Sequence, residues 1–188
     1  MKRKLSNSPF LLCGLLLLAI SCTKQVANDA APGEVTSNAA LSEKSKSEND
    51  KSDLLKSVKQ ATSRFHSTTQ ALKAGYERDD HCVSHPLLGG MGYHWLNPSL
   101  VDPVFDPLKP EVILYATGPD GNLRMVALEY IVINTGQPHP KFGDQLLDVG
   151  GVPPLAAQGI DHWSLHVWLY EHNPRGIFQP FNPNITCP

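Results

Sequence analysis

The side chains best suited to chemistry in this chain are histidines and one carboxylate, each in a segment that otherwise reads as buried. In DHWSLHVWLY, Asp161 to Tyr170, strand alternation places Trp163, Leu165, Val167 and Leu169 on one face and His162, Ser164, His166 and Trp168 on the other. The first set is an ordinary core face, whereas the second mixes imidazole, hydroxyl and indole. His94 lies between Tyr93 and Trp95 in GGMGYHWLNP, and Glu129 interrupts the apolar run LRMVALEYIVI. A mid-strand carboxylate is costly to bury as an ion unless it is paired or bound to a cation. Two imidazoles and one carboxylate suit zinc or iron and leave coordination positions open. His94, Glu129 and His166 form the best candidate set, and His162 is next. On an extended strand His162 lies about 13 Å from His166. Both could hold one ion only if the strand begins after His162.

Other readings stand beside this one. His94 can be a hydrogen-bonded packing residue, and Glu129 can pair with Arg124 or His166 in a structural network. The imidazole-bearing face can line an organic-ligand pocket without metal. An open metal position would activate water or oxygen, and a histidine–glutamate pair could act as a general base, which makes an enzyme the alternative to a binding module. A third alternative is a structural or interaction protein with no small-molecule site. His81 and His85 flank Cys82, while His139 and His172 sit in proline-rich or turn-like segments and are expected in solvent. No GxSxG elbow, phosphate-binding glycine loop, dinucleotide fingerprint or HExxH motif occurs.

The elements that must position these groups are partly legible. Leu54, Val58, Ala61, Phe65, Thr68 and Leu72 recur at gaps of four and three, which predicts one amphipathic helix ending near Gly75. The runs on either side of Pro119-Asp120-Gly121 predict a hairpin. Pairing Gly118 with Asn122 would set Tyr115 against Met125, Ile113 against Ala127 and Glu111 against Glu129. The second strand of the hairpin is apolar on both faces, as in a sheet covered on both sides. A further strand is expected from Gly92 to Leu96. The long segment from Asn134 to Gly159 is either a functional loop or carries short elements of its own. The proline-punctuated tail should pack as an irregular edge.

The ends of the chain bear on its compartment. Lys2, Arg3 and Lys4 precede an apolar run from Phe10 to Ile20, too short for a comfortable membrane span and arranged as in an export signal. Ala19-Ile20-Ser21-Cys22 resembles a bacterial lipobox, with Ala19 where Leu is usual. On that reading residues 1–21 are a lipoprotein signal peptide and Cys22 is lipidated; ordinary cleavage nearby would leave Cys22 a bystander. Residues 22–52 are polar and poor in large apolar side chains, which reads as a disordered tether ahead of a single domain over 53–188. Of four cysteines, Cys82 and Cys187 remain as an even pair, so a disulfide is expected between them in an oxidising compartment. Loss of residues 1–21 would move the formal charge from −2 to −5, which leaves no basic stripe for nucleic acid.

The segments GMGYHWLNP, LYATGPDGNLRMVALEYIV and SLHVWLYEHNPRGIFQPFNPNITC resemble a family of uncharacterised secreted bacterial proteins, over a region running from ATSRFHSTTQALKAGY to Cys187. The resemblance implies that helix, hairpin and histidine strand belong to one unit, and it carries no activity with it. The expected fold is α+β: one amphipathic helix on a mainly antiparallel sheet or small open barrel, closed by the disulfide. The expected protein is an exported periplasmic or cell-surface lipoprotein, held to a bacterial membrane through Cys22, with a His/Glu pocket for a divalent metal or small molecule.

Overall fold

The computed structural model describes residues 35–188, with side chains from residue 43. The signal segment, Cys22 and the first part of the tether lie outside the described residues. The architecture is α+β. Helix α1 (Val35–Thr62) begins inside the stretch read as tether, and Glu43 to Asp50 on it are almost all exposed, away from the core. No helix among the described residues is long and apolar enough to cross a membrane.

The single expected helix is broken in two. After α1 comes a 3₁₀ turn (Ser63–His66), then α2 (Thr68–Lys73), with Ser67 between them in extended geometry. Thr62 contributes to the break: its hydroxyl turns back to the Val58 carbonyl at 2.7 Å and meets the Tyr170 hydroxyl at 2.7 Å. The break re-aims the apolar stripe. Val58, Phe65 and Ala71 are buried, whereas Leu72 turns outward. Gly75 ends α2 as expected. Its φ of 96° is left-handed, its N–H reaches the Leu72 carbonyl, and Tyr76 N–H reaches the Ala71 carbonyl, the paired bonds of a Schellman cap.

Six strands form one antiparallel sheet in the order β1-β2-β3-β4-β8-β7. They are β1 (Cys82–His85), β2 (Gly89–Leu96), β3 (Val112–Thr117), β4 (Leu123–Ile133), β7 (Asp148–Val149) and β8 (His162–Val167). The sheet curls into a half-barrel. The segment Asn134–Gly159 holds the missed short elements: β5 (Lys141–Phe142) paired with β6 (Gln145–Leu146), then β7 and the short helix α3 (Pro153–Ala157). The disulfide is formed, with Cα atoms of Cys82 and Cys187 5.6 Å apart across 105 residues. It clamps the tail to the β1 edge, and Ile185 of the tail is buried against the sheet.

The β3–β4 hairpin departs from the expected register in one place that matters. Gly118 N–H does bond the Asn122 carbonyl, and Tyr115 does face Met125. Next along, Leu114 faces Ala127, so Val126 is an extra, bulged residue. Its carbonyl is taken by the N–H groups of Tyr170 and Glu171, each at 3.1 Å. Ile113 therefore faces Leu128, and Glu129 faces Val112 rather than Glu111. Because side chains alternate, one inserted residue exchanges the faces of everything beyond it. Val126 and Ala127 now share a face, and Leu128, Tyr130 and Val132 join Met125 on the helix-covered side. Glu129 is delivered to the opposite side.

Candidate metal centre

The side of the sheet away from the helices is covered by loops, α3 and the tail, through Val152, Leu155, Ile177 and Ile185. His94, Glu129 and His166 meet there. Strand β2 pairs β3, β3 pairs β4, and β4 pairs β8, where Glu129 lies directly opposite His166. His94 opposes Leu114, one row away and across the intervening strand β3. Three inter-strand steps span about 14 Å on a flat sheet. Yet the Nε2 atoms of His94 and His166 are 3.5 Å apart, with the rings edge-to-face. The convergence requires the sheet to curl around this side, so the three groups occupy its concave face.

Glu129 Oε2 lies 3.8 Å from His94 Nε2 and 4.0 Å from His166 Nε2. Both carboxylate separations exceed hydrogen-bond length, so Glu129 bonds neither imidazole, and the two rings share only a long contact at 3.5 Å. The three groups are nevertheless close enough together to be donors to one ion. A point equidistant from the three atoms lies about 2.2 Å from each, within about 0.2 Å of ordinary Zn–N and Zn–O bonds. The Glu129 and His166 side chains are only 6% and 8% exposed, while His94 is 19% exposed, so the cluster meets solvent on the His94 side. The Nδ1 atom of His94 is buried with no hydrogen-bond partner.

Burial drives all three groups toward their neutral forms. It raises the Glu129 carboxyl to about 8 and lowers His94 to about 4. It lowers His166 to about 3, with the neighbouring His94 adding to the effect. Near neutral pH the contacts at 3.8 and 4.0 Å are therefore not ion pairs. They are a carboxylic acid beside two neutral imidazoles, whose nitrogen lone pairs are free to bind a metal.

The fourth candidate does not join them. The Nε2 atom of His162 accepts the Val152 N–H at 3.1 Å, which leaves Nδ1–H to donate to the Ile160 carbonyl at 2.7 Å. Both nitrogens are thus committed to pinning the loop around α3. The strand also begins at His162, so the condition under which it could share an ion with His166 is not met. Arg124 does not serve Glu129 either, because its guanidinium pairs with Glu171. His139 and His172 are exposed as expected, although His139 stacks on Trp163 at 5.0 Å.

Sequence reasoning missed Glu111. It is 2% exposed, its Oε2 accepts the Ile131 N–H at 2.9 Å, and burial raises its carboxyl to about 8. The expected hairpin register sets it at the start of the hairpin opposite Glu129 and gives it no site role, whereas it lies just ahead of β3. Two surface cavities, of about 420 and 180 Å³, lie elsewhere, against α1 and beside Tyr76, and neither is lined by the three donors. The chain matches no protein-family model, no curated protein and no solved structure, so its chemistry is argued from these side chains alone.

Proposed function

We propose that this protein is an exported, membrane-tethered lipoprotein whose folded domain binds a divalent transition metal, zinc or iron(II), through His94, Glu129 and His166. One observation carries the reading: two buried donors and one half-buried donor, with a carboxyl that bonds neither imidazole and only a long 3.5 Å contact between the rings, lie close enough together to share an ion. Neutral imidazole and carboxylate oxygen form a borderline donor set, suited to zinc or iron rather than to calcium or magnesium. The ion would displace the proton held on Glu129 and supply the positive charge that this carboxylate lacks.

The oxidised Cys82–Cys187 pair supports an oxidising compartment, as do the basic and apolar leader and the Ser21-Cys22 junction. Lipidated Cys22 would place the domain at a bacterial membrane, in the periplasm or on the cell surface. The formal charge supplies no basic surface for nucleic acid.

Metal analysis of protein purified without a histidine tag tests the reading. About one zinc or iron per chain is expected, or uptake of one on addition, and His94→Ala and Glu129→Ala should each abolish it. Wild-type protein that neither retains nor takes up either metal would remove the proposal and leave a tethered structural domain.

A further inference from the structure

Three donors do not complete a tetrahedral site, and the open side faces the strand next to β2. In the β1–β2 pair, Cys82 is opposite Tyr93. Glu77 bridges Leu96 in the same antiparallel sense, so residues 78–81, His81 among them, loop out alongside Trp95 and His94. His81 is exposed, and its ring makes no hydrogen bond among the described residues. Its backbone is held in place from both sides. Asp79 Oδ1 accepts the His81 N–H at 2.8 Å, and Cys82 is locked into the disulfide. The exposed segment thus borders the His94 side of the cluster, where it meets solvent.

We propose that His81 is the fourth ligand, swinging inward to close the site as a metal enters. The inference rests on the metal reading above and extends it. A centre with four protein donors is of the closed kind, built to hold an ion rather than to present water to a substrate. His81 would be the capturing arm, exposed when the site is empty and drawn over the ion when it is filled. The Asp79 contact would position it.

Cobalt(II) titration of tag-free, chelator-treated protein, followed by visible absorption, tests this. Wild type is expected to bind one ion per chain with the intense bands of four-coordinate cobalt. His81→Ala should still bind one ion, at least tenfold more weakly, and with the faint bands of five or six coordination. Added imidazole should restore the intense spectrum in His81→Ala, as a missing ligand would and a merely structural loss would not. Wild-type affinity and spectrum in His81→Ala would overturn the inference and leave the three-donor site intact. Failure of wild type to bind cobalt or zinc at all would instead overturn the metal reading itself.

Discussion

On the helix-covered face of the sheet, Trp95, Tyr115, Leu128 and Leu165 meet Val58 and Phe65. The phenols there are answered by carbonyls: Tyr115 donates to Phe65 and Tyr76 to Pro110, each at 2.6 Å. The indole N–H of Trp95 is the exception, buried without a partner. On the concave face the ionisable residues between the hydrocarbons are His94, Glu129, His162 and His166. One of these, His162, is tied to the backbone. The other three are gathered with only a long imidazole contact among them. Burial of apolar surface accounts for the first face. The second holds groups whose burial is unfavourable unless something from outside completes them. A fold that needed only stability would have little use for the second arrangement.

The strongest way to separate the two faces is to release the clamp on one of them. Cys82→Ser/Cys187→Ser frees the tail that covers the concave side. In the chain-entropy model a loop of this length contributes about 4–5 kcal/mol, so denaturant unfolding should show a loss of that order. Hydrogen exchange should locate it. The Gly90 amide, which donates to Ile185 at 2.9 Å, and the Asn182 amide, which donates to Gly90 at 2.9 Å, should exchange first. The amides of Leu128 and Tyr130 should stay protected. Uniform acceleration across the sheet would show that the faces are one cooperative body.

A substitution confined to the helix side should do the reverse. Leu128 is fully buried there, and Leu128→Ala is expected to cost about 3 kcal/mol by lost transfer and cavity formation. Metal stoichiometry of the folded protein should not change. The concave side has its own signature. Zinc at about 100 times its dissociation constant should stabilise wild type by about 2.7 kcal/mol. Glu129→Leu should lose that gain entirely while the metal-free variant unfolds no earlier than wild type, because a buried acid has been replaced by hydrocarbon. A large loss of metal-free stability in Glu129→Leu would mean that the carboxyl is a structural partner of the imidazoles.

The two faces also differed in how far the sequence disclosed them. The helix side was legible in outline, because Val58 and Phe65 fall on a helical stripe and Trp163, Leu165 and Val167 alternate on a strand. The kink at Thr62 was not, since it depends on a hydroxyl that bonds Tyr170 from far along the chain. His94, Glu129 and His166 stood out singly, as ionisable groups among apolar neighbours. Their meeting depends on sheet curl and on the Val126 bulge, and neither leaves a mark in composition. Strict alternation would have put Glu129 under the helices. His162 carried the same local signal as His166, and only the folded loop around α3 reveals that its nitrogens are already used.

The last effect concerns Glu111, a buried acid just ahead of β3 that is answered by a backbone amide. Its carboxyl is raised from an ordinary 4.5 to about 8, because burial outweighs the stabilising bond from Ile131. The folded state therefore holds a proton between pH 4.5 and 8 that the unfolded chain releases. This contribution to stability is fully present below 4.5 and is lost as pH rises toward 8. Glu111→Gln keeps an acceptor for the Ile131 N–H and removes the titration. Urea unfolding in the presence of a chelator, at pH 5, 6.5 and 8, should show the variant gaining steadily on wild type as pH rises. The remaining acids and histidines titrate in both proteins, so the difference isolates Glu111. A gap that does not change with pH would place this carboxylate, charged, in contact with water.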